Sequence, residues 1–187
     1  MDVEEVTELS RFEPVRLGGH YAIIKNVTET KTTSGIDMIV VSVDFTSRDE
    51  QAGYFSKAYA NDTRENKKWP FSGRKCIIVN DFFDSEKASR QFKIFCLCVE
   101  KSNDYKIQWD LPDWGKQFID KKIGVVYGEE EQEFNGETSM RRLPKWFCQY
   151  DNVSAQRVPD PKYLKPRQHF VSQKDAVPDG IEEELPF

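Results

Sequence analysis

The sequence predicts a mainly β fold with helical insertions, and three stretches carry that expectation. Ile36 to Ser47 alternates, with Ile39, Val41, Val43 and Phe45 on one face and Met38, Ser42 and Asp44 on the other. That period of two marks a strand in a sheet with one packed face. Asn135-Gly136 divides two strand-like runs and is the strongest short hairpin signal, because both residues tolerate positive φ. Ala88, Phe92, Phe95, Cys96 and Val99 recur at helical spacing, which predicts a core-facing helix from a cap at Asp84 or Ser85 to about Lys101.

The other elements follow in order. Residues 1–17 form a lead-in, acidic over 1–13, and Gly18-Gly19 breaks the chain before a strand from His20 to Val27. Thr28 to Gly35 has the composition of an exposed loop. After the Ile36–Ser47 strand and a polar turn, Tyr54 to Ala60 reads as a third strand, completing a meander. Cys76 to Val79 suits a further short strand, and Leu111 to Ile119 a short helix opened by Pro112. Ile123 to Phe134 and Glu137 to about Tyr150 form the hairpin arms, the second interrupted or bulged at Pro144. From Val158 the prolines break regular structure. The expected organisation is therefore one domain over 1–157 and a flexible linker with an acidic tail over 158–187.

Composition narrows the function classes. The 187 residues carry a net charge of -5, but it is unevenly spread. Residues 1–13 hold five acids and one base, and 175–187 hold five acids and no base. Between them lie 26 bases against 22 acids, a body of net charge +4. Such a body can bind a polyanion despite its acidic ends. No apolar run approaches the roughly 20 residues of a membrane span, and the start lacks the pattern of a signal peptide. A soluble cytoplasmic protein without membrane contact is expected. Cys76, Cys96, Cys98 and Cys148 lack disulfide-framework or zinc spacing and are expected to be buried free thiols. No phosphate loop, G-x-S-x-G or H-E-x-x-H occurs, and Glu129, Glu130, Glu131 and Glu133 read as a solvated strand edge. An enzyme is not expected, nor a cofactor or a metal.

The end of the chain has its own design. After Asp175, Asp179, Glu182, Glu183 and Glu184 it closes on Leu185-Pro186-Phe187, an apolar hook stiffened by proline beside a free carboxylate. A partner's basic pocket with an apolar slot can capture such an ending. Glu182-Glu183-Glu184-Leu185-Pro186-Phe187 resembles the acidic tip of bacterial and bacteriophage single-stranded DNA-binding proteins, which end in aspartates and Ile-Pro-Phe. Here Glu replaces Asp and Leu replaces Ile. The resemblance implies that these six residues recruit replication and repair proteins and compete with DNA for the protein's own groove.

A second resemblance lies near the start. Phe12-Glu13-Pro14, Gly19-His20-Tyr21, the Thr30-Lys31-Thr32-Thr33-Ser34-Gly35 loop and the strand opening Met38-Ile39-Val40 are similar to a bacteriophage family from replication and recombination cassettes. That family is taken to bind single-stranded DNA on an OB-fold. Ile36-Asp37 stands where it often has a basic residue. Five strands with helical matter before the last pair suit either an open sheet or a partly open barrel. The resemblance implies the barrel, hence an OB-fold-like architecture and the cytoplasm of a host bacterium.

Binding single strands without reading sequence needs cations along a groove and rings for bases to stack on. The candidates are Lys31 in the first loop, Tyr54, Lys57 and Tyr59 in the expected third strand, Lys67, Lys68 and Trp69 after it, and Arg141, Arg142, Lys145 and Trp146 in the hairpin. The expected function is a single-stranded DNA-binding protein. The alternatives are a strand-annealing or recombination-mediator protein on the same scaffold, and a protein–protein adaptor without nucleic-acid binding. A homo-oligomer is left open.

Overall fold

The computed structural model describes residues 13–165. Five strands form one antiparallel sheet: β1 (Gly18–Lys31), β2 (Asp37–Phe45), β3 (Arg74–Ile78), β4 (Lys122–Phe134) and β5 (Glu137–Cys148). Their order is β3-β2-β1-β4-β5, with the long β1 at the centre. It pairs with β2 along most of its length and with β4 through its first residues. Two helices, α1 (Tyr54–Asn61) and α2 (Arg90–Asn103), are inserted before β3 and before β4. The fold is thus mainly β, an open five-stranded sheet compatible with the OB-fold. No hydrogen-bonded ladder joins β3 to β5 among the described residues.

Ile39, Val41, Val43 and Phe45 of β2 are all buried as read. Ser42 and Asp44 on the opposite face are buried as well, so the second half of the strand is packed on both faces rather than one. Across the ladder in β1, a bulge at Lys25 keeps both Ile24 and Val27 inside while Lys25 and Asn26 face solvent. The stripe on α2 buries Phe92, Phe95, Cys96 and Val99 against the sheet, with Phe95 ringed by Phe118 and Phe147 at 5.2 Å each. The cap is Ser89, whose hydroxyl accepts from the Phe92 amide at 3.1 Å, so the helix starts four to five residues later than expected. The Pro112 region tightens into a 3-10 turn (Trp114–Phe118) rather than an α-helix. At the β4–β5 turn Asn135 and Gly136 have φ of 52° and 80°. Pro144 sits on the edge strand, where it removes no inner ladder bond, and Lys145 is the extra residue of a bulge beside it.

Two readings are overturned. Thr28 to Lys31 continues β1 in its ladder with β2 rather than opening a loop, so Lys31 ends a strand. Tyr54 to Ala60 is helix, not strand. Gly53 turns the chain with a φ of 69°, and α1 then needs acceptors for its first free amides. Asp44, from β2, supplies them. Its carboxylate accepts from the Phe55 amide at 2.9 Å and from the amide and hydroxyl of Ser56. An acid ten residues upstream thus acts as the N-terminal cap that the local sequence lacks. The third strand is instead Arg74–Ile78, overlapping the stretch expected at Cys76 to Val79.

The stretch after Val158 also departs from a free linker. Lys162 donates its amide to the Glu129 carbonyl at 3.0 Å and accepts from the Glu131 amide at 2.8 Å, a parallel bridge onto β4. It covers β4 where that strand runs on beyond the end of its pairing with β1 at Tyr127. Cys96, Cys98 and Cys148 are buried as expected, but Cys76 on edge strand β3 is exposed. No helix of the described residues is long and apolar enough to cross a membrane.

Candidate nucleic-acid interface

The arginine-bearing arm of β5, the start of α1 and the turn before β3 enclose a groove of about 460 Å³. Its lining is Pro14, Val15, Tyr54, Phe71, Ser72, Met140, Arg141, Arg142 and Leu143, with no acidic residue among them. Phe71 is 55 % exposed and Met140 is 41 % exposed. The turn carrying Phe71 is held from below, because Tyr127 donates its hydroxyl to the Ser72 carbonyl at 2.7 Å. Gly73 beside it has no room for a side chain: a Cβ there would lie 2.8 Å from the Trp69 indole nitrogen and 2.9 Å from the Phe55 ring.

The charged groups are placed by the same contacts. Arg142 donates to the Val15 carbonyl at 2.7 Å and lies 3.6 Å from Glu129, so it fixes one wall of the groove and stays half-buried. Arg141, exposed, is opposite Glu130 in the ladder without an ion pair to it. Arg74 approaches the Phe71 ring, 5.8 Å from its centroid, and its Nε is buried with no acceptor among the described residues. Tyr54 donates to the Glu13 carbonyl at 2.7 Å, and burial, with the Glu13 charge adding to it, raises its hydroxyl above the ordinary range. Arginines beside the exposed Phe71 ring, in a groove whose lining holds no acid, suit phosphates and nucleobases together.

Of the expected residues, Tyr54, Arg141 and Arg142 meet here. A second group gathers at the far end of α1. Tyr59 and Trp69 lie 5.6 Å apart, and Lys67 sits 4.5 Å above the Tyr59 ring while donating to the Tyr59 carbonyl. Trp69 is half-buried against the core, its indole donating to Val43 at 3.0 Å, so it is a structural ring rather than an open stacking platform. Lys57 and Lys68 are exposed, and Lys57 reaches the Ala52 carbonyl at 3.1 Å.

The remaining candidates stand apart. Lys145 pairs with Glu130, whose carboxyl that bond holds below its usual range, and lies near Lys75 on β3. Burial, with Lys145 adding to it, lowers the Lys75 ammonium. Trp146 packs against Val126, Cys148 and Val153 and donates to Gln156 at 3.0 Å, a second structural tryptophan. Lys31 is paired with Asp37 at 2.5 Å. It borders a larger groove of about 600 Å³ with Trp109, Trp114 and Phe92, where Glu29 and Asp37 contribute acids. That acid content makes it the poorer home for a polyanion. Glu129 and Glu130 pair with bases across the hairpin and Glu131 accepts from the Leu164 amide, so these acids are engaged rather than simply solvated.

Phe71 in the groove and Arg74 beside it are the exposed ring and the cation absent from the expected set. Their signal was present, since both belong to the basic, aromatic run of residues 61–75. The tip, Glu182 to Phe187, lies outside the described residues. No protein-family model matches the chain, and no curated protein matches it.

Proposed function

We propose that this protein binds single-stranded DNA without regard to sequence, through the groove of Tyr54, Phe71, Arg141 and Arg142 with Arg74 at its side. In this reading it serves DNA replication or recombination, and the Leu-Pro-Phe tip is captured by partner proteins. The observation that carries the reading is the pairing of exposed Phe71 with arginines in an acid-free groove. The strand order adds support, because OB-folds present a sheet face and flanking loops to oligonucleotides. A polarisation titration with labelled oligo-dT tests it. The expected result is an affinity that falls steeply with salt, by ~0.7 in the log–log slope for each phosphate neutralised on a single strand. Absence of salt-sensitive binding would discard the reading.

A further inference from the structure

The loop between β3 and α2 presents two adjacent phenylalanines to solvent. Phe82 is 84 % exposed and Phe83 is 93 % exposed, their rings in edge contact at 5.2 Å. This is a built finger. Asn80 bridges Ala88, Asp81 donates its amide to the Lys87 carbonyl at 2.7 Å, and Ser89 donates to Val79 at 2.8 Å. The Asp81 carboxylate accepts from the Phe83 amide at 2.9 Å, and the Asp84 carboxylate from the Glu86 amide at 3.1 Å. Asp81, Asp84 and Glu86 against Lys87 leave the finger with two net negative charges.

A convex, acidic, aromatic finger and a concave, arginine-bearing, apolar groove therefore occur on one chain. They do not meet within it, since Phe82 and Phe83 are exposed and neither lines the groove. The finger springs from the end of β3, whereas Phe71 and Ser72 precede its start, and a five-residue strand spans roughly 15 Å. A tip of this length, closed by the Asn80–Ala88 bridge, reaches roughly 12 Å at full extension. We propose that Phe82 and Phe83 of one molecule insert into the Phe71–Met140–Arg141 groove of a second copy. Two different surfaces make a head-to-tail contact, which propagates as an open chain unless its rotation closes a ring. The contact area is small, so assembly is weak and concentration-dependent. The contact does not depend on whether the groove also binds nucleic acid.

Sedimentation velocity at low salt is the test, on the full chain, with F82S/F83S removing the finger and M140E/R141E spoiling the groove. All these residues are exposed, and unchanged thermal melts verify the folds. The wild type is expected to sediment faster as concentration rises, and each variant alone to remain monomeric. An equimolar mixture of the two variants should form a dimer and nothing larger, because one intact finger then meets one intact groove. A wild type that stays monomeric at its highest soluble concentration would overturn the proposal, as would F82S/F83S associating like the wild type. Association lost on removing residues 175–187 but kept in F82S/F83S would give the groove to the acidic tail instead.

Discussion

Trp69 donates its indole N–H to the carbonyl of Val43 at 3.0 Å, tying the segment before β3 to β2 just past the last β2 residue that pairs with β3. The same indole packs under Gly73, which carries the turn of Phe71. Trp69 is therefore a support for the groove, and Phe71 its exposed ring.

The two rings should separate in experiment. Trp69→Ala is expected to cost about 3–5 kcal/mol of stability in urea unfolding, in the range of large-to-small core changes. Trp69→Phe should lose about 1 kcal/mol for the missing hydrogen bond, with oligo-dT affinity of the folded protein nearly unchanged.

Phe71→Ala is expected to leave stability nearly intact and to weaken oligo-dT binding by about 1–3 kcal/mol, the worth of one stacked base. Arg141→Ala should lower the salt slope by ~0.7. Arg142→Ala should do so and also destabilise the fold, since Arg142 holds the Val15 carbonyl. Equal affinity for all three variants would place binding elsewhere.

Asp49 accepts from His20 at 3.1 Å and from the amides of Tyr21 and Gln51, both at 2.9 Å, while His20 stacks on Phe45 at 4.1 Å. Burial works to raise the Asp49 carboxyl, but the His20 bond and the amides outweigh it and hold the carboxyl below its ordinary 3.8. The stabilisation is therefore complete above about pH 4 and is lost as pH falls through the depressed folded value. Asp49→Ala should cost about 1–3 kcal/mol, because it leaves the His20 ring and the amides of Tyr21 and Gln51 without their acceptor. It should also flatten the acid limb of a stability profile measured by urea unfolding.

Thiol reactivity reports the packing of both sheet edges. Burial pushes Cys96 and Cys148 up to about 12 and Cys98 up to about 11, so little thiolate forms at neutral pH. Cys76 is exposed. In native protein Cys76 alone should react quickly with iodoacetamide, and all four cysteines should react in urea, as mass spectrometry of digested samples would show.

Removing residues 175–187, with their five acids, should leave oligo-dT affinity equal or higher, because an acidic tail competes with DNA for cationic surface. Lost affinity would make the tail part of the binding site.

Local patterns in the sequence were enough for the elements whose stability is itself local. The alternation from Ile39 to Phe45, the Asn135-Gly136 turn and the apolar stripe of α2 each encode their own geometry. Of the groove, Tyr54, Arg141 and Arg142 were legible, but Phe71 and, beside it, Arg74 were not, because their neighbours Lys67, Lys68 and Trp69 in the same basic, aromatic run carry an equal local signal. Tertiary structure alone decided α1, because its first amides are satisfied by Asp44 across the chain, and Tyr54 to Ala60 carries no such acceptor of its own. It also decided which aromatic residues are free. Trp69 and Trp146 turn inward because Val43 and Gln156 accept their indole N–H groups, leaving Phe71 at the surface. Partners distant in sequence set those choices, and a periodicity read along the chain does not contain them.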